Sequence, residues 1–328
     1  MTQMAASVQD QALVAGSKLH RLCFKAMGCG MSLWLAGCEP AVAYPHLQAA
    51  RLSIELAENE LSRFRPASGL SRMNRLSGQP VPVSPILWEV MSAALEAAKA
   101  THGLYDPTVL RALESAGYKT SFETLKGQQA GQKGPGEGTY NYSWKDILLD
   151  PVARTVTIPV EAGIDLGGIA KGWTARQVAQ SLGEAGPCLV DAGGDIAARG
   201  APPGMAGWPV GVANPLQPEL NLTVLTVCDG GMATSGIDYR RWTSNGHLQH
   251  HIIDPRTGSP ARTDLLAVTV MAQDVVHAEI HAKAALILGA SAGWDYLSGL
   301  DGVEGVLMLQ DGSNVITPGL EHYIWKDA

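Results

Sequence analysis

The sequence predicts an α+β protein of mixed β-sheets with helices packed on them, and two observations carry that expectation. Short β-rich runs and amphipathic helical stretches follow one another in mixed order. A chain of 328 residues with 46% hydrophobic content can bury about three quarters of its unfolded surface, enough for one large core or two intimate ones. Residues 1–22 read as a loose N-terminal segment, and 23–328 as the folded body with soft internal boundaries. From Pro45 to Leu61, the apolar positions Leu47, Leu52, Ile54 and Leu61 predict a helix that ends before the polar segment Ser62–Gln79. A second helix is expected over Ser84–His102: Ser84 can cap it, Pro85 suits its first turn, Ile86, Leu87, Val90, Met91 and Leu95 form an apolar face, and Gly103 closes it. Strands are expected at Trp144–Leu149 and Val156–Pro159, flanking a turn at Asp150–Pro151. Further strands are expected at Cys188–Asp191, Leu222–Val227, Leu265–Met271 and Val306–Leu309. Lys126–Thr139 is glycine-rich and reads as a flexible surface loop, while Pro202–Pro218 reads as a loop and edge-strand region.

Charge and cysteine usage narrow the function classes. A formal net charge of -7 argues against broad, nonspecific contact with nucleic acid and leaves room for a local basic pocket that takes a small anion. The five cysteines form no CxxC pair and are odd in number, so neither an iron–sulfur site nor a disulfide framework is expected, and a reducing compartment fits. Asp10 and Gln11 stand where a signal peptide carries its apolar stretch. No run approaches the roughly 20 apolar residues of a membrane span, so a cytoplasmic protein without a transmembrane anchor is expected.

Polar motifs cluster at glycine turns. In IDLGGIAKGW, Ile164–Trp173, Gly167 and Gly168 allow close backbone approach before a helical stretch, and Lys171 can set a cation beside phosphate. The same segment also reads as a tight strand-to-helix turn. In CLVDAGGDIAARG, Cys188–Gly200, the Gly193–Gly194 turn and its flanking aspartates could present donors and a carboxylate to a ligand, or simply punctuate strands. GGMATSGIDYRRW, Gly230–Trp242, and HLQHHIIDPRTGSP, His247–Pro260, concentrate hydroxyl, acidic, arginine and histidine side chains suited to orienting an anion and accepting a proton. On a helix expected from Ala278 to Leu288, four-residue spacing places His277 near His281 and Glu279 near Lys283, as a simple ion pair or as a face toward a metal-phosphate site.

These blocks together resemble the ApbE family of FAD:protein FMN transferases, which includes relatives that hydrolyse FAD to FMN and AMP. The resemblance runs from Phe24 to Leu309 through FKAMGCG (Phe24–Gly30), ENELSRFRPASGLSRMN (Glu58–Asn74), YDPTV (Tyr105–Val109), DLGGIAKG (Asp165–Gly172), LVDAGGDI (Leu189–Ile196), ATSG (Ala233–Gly236) and HIIDPRTG (His251–Gly258). It implies a two-part architecture around an FAD cleft, with Mg²⁺ near the pyrophosphate. The implied reaction transfers FMN to a Ser or Thr hydroxyl of an acceptor protein and releases AMP. It implies His251 for acid/base work with Asp254 or a neighbour orienting it, and Met27, Arg65, Ser71, Asp106, Gly167, Gly168, Lys171, Gly193, Gly194, Thr234, Ser235 and Lys283 in segments that face the flavin nucleotide.

The family pattern holds its metal with an Asp, a Thr four residues later, and the carbonyl of the Ala in GGIAKG. The matching positions here are Glu279, Lys283 and Ala170. A protonated lysine has no lone pair for Mg²⁺. Lys283 could supply part of the metal's charge, or the metal could shift toward Glu279, Ala170 and phosphate, or the chain could be a catalytically reduced flavin-binding protein. FAD pyrophosphate hydrolysis is the other alternative to transfer.

Overall fold

A computed structural model describes residues 18–126, 142–244 and 246–326. The chain divides into two compact units. The first comprises residues up to Leu56, Lys171–Ser235 and Asp264 onward, and the second comprises Ala57–Ala170 and Gly236–Thr263. The chain passes from one to the other inside helix α1 (Pro40–Leu61), after the first residue of α6 (Ala170–Gly183), at the end of β10 (Gly230–Gly236), and between Thr263 and Asp264. That explains why no Gly/Pro-rich linker is legible in the sequence.

The first unit is built on an 8-stranded sheet in the order β1-β2-β6-β7-β10-β15-β16-β17. Its strands are β1 (Leu19–Ala26), β2 (Cys29–Ala36), β6 (Cys188–Ala192), β7 (Ile196–Arg199), β10, β15 (Leu265–Ala272), β16 (Glu304–Leu309) and β17 (Asn314–Ile316). The pairings β1–β2, β2–β6, β6–β7, β7–β10, β15–β16 and β16–β17 are antiparallel, from Ala26↔Cys29 in the first hairpin to Met31↔Ala192 and Val268↔Leu307 farther in. The β1–β2 turn consists of Met27 at φ 51 and Gly28 at φ 70, the left-handed pair that a two-residue hairpin turn requires. Strand β1 starts at Leu19, so the end of the expected loose segment 1–22 is sheet, and residues 1–17 lie outside the described residues.

A separate hairpin pairs β8 (Trp208–Ala213), inside the Pro202–Pro218 region expected as loop and edge strand, with β9 (Asn221–Val227), where a strand is expected at Leu222–Val227. Strand β8 is buried from Trp208 to Val212, whereas β9 is buried only at Leu225 and Val227. Trp208, Val210 and Leu225 join Trp34, Leu189, Ile196, Met232 and Val306 in one core cluster. Helix α7 (Val275–Leu288) packs on β15, and α8 (Ala290–Ser298) packs on α7 and β16. Apolar residues surround α7 on nearly every side, and nearly all of it is buried, as expected of a helix without a solvent face. Its buried polar residues therefore need partners. The His281 Nδ1 lies 2.7 Å from the Tyr296 hydroxyl, and burial followed by the charge of His277 pushes the His281 pKa down to about 4.

Asp274 caps α7, accepting from the amides of Val276 at 2.8 Å and His277 at 3.0 Å. Burial alone would raise its pKa, but the bonds from His277 and the charges of His277 and Arg176 outweigh it and hold the carboxyl well below the usual range. Asp274→Ala should therefore cost about 1–2 kcal/mol at pH 7. A depressed pKa stabilises above the unfolded value, so the gap between variant and wild type should narrow as pH falls below that value. Urea titrations at pH 7 and pH 3 check both statements.

The second unit contains α2 (Gly69–Arg75), α3 (Pro85–Ala100), α4 (Leu110–Ser115) and α5 (Phe122–Lys126). A small sheet joins β3 (Val81–Pro82), β5 (Thr155–Thr157) and β4 (Leu148–Asp150). Two hairpins, β11 (Arg241–Ser244) with β12 (His247–His250) and β13 (Ile253–Asp254) with β14 (Ser259–Pro260), complete it. Ser84 caps α3 through the Leu87 amide, as the sequence predicts. The expected strand at Trp144–Leu149 is corrected: Trp144–Asp146 is a 3₁₀ turn closed by a capping box between Ser143 and Asp146, and the strand begins at Leu148. A local side-chain cap outcompeted the β-propensity of Trp144. Beyond Lys126, the expected 126–139 loop lies outside the described residues. Among the described residues, no helix is long and apolar enough to cross a membrane.

Candidate functional site

In the first unit, three motif segments meet around one ammonium group. Lys171, in the first turn of α6, donates to the Asp195 carboxylate from the β6–β7 turn and lies 3.7 Å from Glu279 Oε1 on α7. The other Glu279 oxygen accepts from the Gly172 amide at 3.1 Å. These side chains are 15%, 4% and 6% exposed for Lys171, Asp195 and Glu279, so the charges are withdrawn from water and held by one another. Gly172 is the device that permits this. A Cβ there would come within 2.6 Å of Glu279 Oε2 and 3.3 Å of the Val275 carbonyl. Lys283 lies one turn beyond Glu279 on the same helix and is half-buried.

Gly193 at φ 71 and Gly194 at φ 100 make the β6–β7 turn, and the Gly194 amide donates to Asp191 Oδ1 at 2.8 Å. Burial pushes Asp191 up to about 7, against the lowering effect of the Gly194 and Gly193 amides and of Lys171. A carboxyl raised on folding favours the folded state at low pH and loses that contribution as pH rises from its unfolded value through about 7. Asp191→Asn keeps an acceptor for Gly194. It should flatten the fall in thermal stability between pH 5 and pH 8, and an unchanged slope would remove Asp191 as its source.

Elsewhere in this unit, Met27 forms the β1–β2 turn. Thr234 is exposed on β10, with its hydroxyl 2.8 Å from that of Thr269, while Ser235 is buried.

The second unit holds the remaining predicted residues. Arg65 is largely exposed and pairs with Glu58 at 2.7 Å. Arg63, two residues earlier, is the buried arginine. Its Nε contacts Asp165 Oδ2 at 2.6 Å, its Nη2 donates to the Tyr118 carbonyl at 3.0 Å, and its guanidinium lies over Phe64 and Tyr118. The sequence reading passed over both Arg63 and Asp165. The available signal was that Asp165 opens the DLGG turn, where its Oδ1 accepts from the Gly167 amide at 2.9 Å. Gly168 and Ala170 follow in the same turn, and Ala170 is buried at the start of α6.

The motifs of this unit are folded onto one another. Asn74 exchanges two hydrogen bonds with the Ile164 backbone at 2.9 and 2.8 Å, and the Asp165 amide donates to the Pro107 carbonyl at 2.8 Å. Ser71 turns its hydroxyl back onto the carbonyls of Ser62 and Arg63. Asp106 accepts from Thr108 and from the Trp144 amide, and it lines a cleft of about 390 Å³ with Trp144, Lys145 and Arg256.

The adjacent histidines differ in role. His250 accepts from the Ile252 amide at Nδ1, which puts its proton on Nε2, 3.0 Å from the Ala261 carbonyl. Its ring is committed to backbone, and burial lowers its pKa. His251 is half-buried, with its amide bonded to the Arg240 carbonyl. Asp254 accepts twice from the Arg256 guanidinium, at 2.9 and 2.8 Å, a partner the sequence reading did not assign.

Mg²⁺ requires near-octahedral coordination by oxygen. At the positions implied by the resemblance, both Glu279 oxygens already face protein donors, and Lys283 when protonated offers none. Among the described residues, no group of three or more His, Cys, Asp or Glu side chains is arranged to hold a metal ion. The residues present do not fit Mg²⁺.

An antiparallel α+β framework with glycine turns feeding a buried lysine–carboxylate cluster defines the class, and the chain belongs to the ApbE family, whose pattern matches residues 27–307. Among its relatives, the FAD:protein FMN transferase of Treponema pallidum is 29% identical over 282 residues, covering 79% of this chain and 75% of the relative. That of Chlamydia trachomatis is 28% identical over 237 residues, covering 69% and 71%. Among solved structures, the ApbE protein of Thermotoga maritima superposes with a TM-score of 0.81 at 26% identity, over 94% of this chain and 100% of that one. The flavin transferase ApbE of Vibrio cholerae, at 23% identity and a TM-score of 0.77 over 94% of this chain and 99% of that one, shares the fold.

Proposed function

We propose that the chain is a flavin transferase that moves FMN from FAD to a Ser or Thr hydroxyl of an acceptor protein and releases AMP. The observation that supports this most strongly is that the family match spans 27–307 and so includes every polar motif described above. The body that acts includes β1 and so begins at Leu19, four residues before the boundary expected at 23. The acceptor oxygen attacks the flavin-side phosphorus, the bond to the AMP oxygen breaks, and the hydroxyl proton passes to His251. Lys171 and Lys283 neutralise the pyrophosphate, with Thr234 and Ser235 positioning it. Gly167, Gly168, Gly193 and Gly194 allow backbone to approach the nucleotide, and Met27, Arg65, Ser71 and Asp106 contact it. Asp254 and Ala170 act by holding their segments in place. Mg²⁺ enters no step, because the donor set does not fit it. Five free thiols support a reducing, cytoplasmic setting.

The test is mass spectrometry of the purified chain with FAD and a flavinylation-acceptor domain. The expected result is a covalent FMN adduct with matching AMP. FMN and AMP without an adduct would favour hydrolysis, and intact FAD bound to folded protein would favour a noncatalytic flavin-binding role, the reading that Lys283 itself raises. His251→Asn should reduce adduct formation roughly 10²–10⁴-fold while FAD affinity stays unchanged. A loss of affinity instead would make His251 a binding residue.

A further inference from the structure

The geometry points to a site whose positive charge is built into the chain: Lys171 and Lys283 replace the divalent cation, so FAD binds without metal. This rests on the flavin reading above and specifies how the pyrophosphate is neutralised.

The argument begins with the carboxylates. A divalent ion is held by oxygens that have no better partner, yet Asp195 and Glu279 already flank the Lys171 ammonium, and Glu279 also accepts from Gly172. Removing Lys171 from this count would leave two buried negative charges, the usual invitation to a cation. With it in place, the pair is balanced to within one charge. Lys283, one helical turn along α7 from Glu279, adds a second ammonium-bearing side chain to the same helix. A metal entering here would have to displace the Lys171 ammonium or the Gly172 amide to reach a carboxylate oxygen.

Phosphate meets the opposite situation. An ammonium carries three donors, and Lys171 directs one to Asp195. Lysine acts on phosphate as a point charge without fixed coordination geometry. Two such charges can therefore perform the electrostatic part of a metal's task, and neither is lost to a chelator.

The test uses the whole protein and FAD titrated by flavin fluorescence, once with EDTA and once with Mg²⁺. Electron paramagnetic resonance of Mn²⁺ is recorded with FAD present. The expected result is an FAD affinity that differs less than twofold between the two buffers, with the Mn²⁺ signal remaining that of the free ion. Lys283→Thr, which supplies a hydroxyl oxygen and removes a charge, should bind FAD at least tenfold more weakly in EDTA and recover when Mn²⁺ is added. A tenfold loss of wild-type affinity in EDTA, or one equivalent of bound Mn²⁺, would overturn the inference while leaving the flavin reading intact. Absence of FAD binding in every buffer would overturn both, beginning with the flavin reading.

Discussion

Lys171→Met should lower stability by roughly 3–5 kcal/mol at neutral pH, because it removes the charge shared by two buried carboxylates and leaves their desolvation uncompensated. Methionine keeps much of the side chain's length, so the loss reports charge more than volume. The variant should also acquire a steep pH dependence. With no ammonium beside them, Asp195 and Glu279 can remain buried together only if a proton is taken up, so the folded variant binds more protons than the unfolded chain and its stability falls as pH rises. Urea midpoints at pH 5 and pH 8 measure both effects. A loss below about 1 kcal/mol at both values would show that the cluster behaves as an exposed pair.

Trp208→Ala should cost a comparable amount, about 3–5 kcal/mol. Trp208 is fully buried in the main core cluster, and its Nε1 donates to the Gly200 carbonyl at 2.9 Å. Truncation opens a cavity between the β8–β9 hairpin and its core partners and removes a hydrogen bond. Leu248→Ala, at a position 65% exposed, is the control and should change stability by less than about 0.5 kcal/mol. Equal effects of the two variants would mean that the hairpin does not cover the core.

How much of this was legible in the sequence depended on how each segment is buried. Cys188–Asp191 and Leu265–Met271 are almost continuously apolar because both faces are covered, which makes them legible as strands, and each strand runs one residue further, to Ala192 and Ala272. The β1–β2 hairpin was missed: Arg21 and Lys25 interrupt its apolar positions, and its Met27–Gly28 turn lacks the usual Asn-Gly signal. Strand β10 was missed for a different reason. Its Gly231 is forced by the start of α7, where a Cβ would come within 2.1 Å of the Val275 nitrogen, and small residues carry little β-propensity.

The site divides in the same way. Glycine turns and Lys171 are local features and stand out in a single sequence. The preference of the fold for Arg63 over Arg65 as the buried arginine depends on Asp165 and Tyr118, which no local pattern brings near. The bond from Gly172 to Glu279 likewise spans 107 residues.

The way the chain alternates between its two units also limits how it can be inherited. No contiguous stretch of the gene encodes the sheet-bearing unit, whose parts lie before Leu56, between Lys171 and Ser235, and after Asp264. A frameshift near residue 264 would spare Lys171 and Asp195 yet delete β15, β16 and the helix that carries Glu279. Recombination that exchanges one segment must therefore preserve complementarity with two others. Neither unit is available to evolution as a detachable cassette.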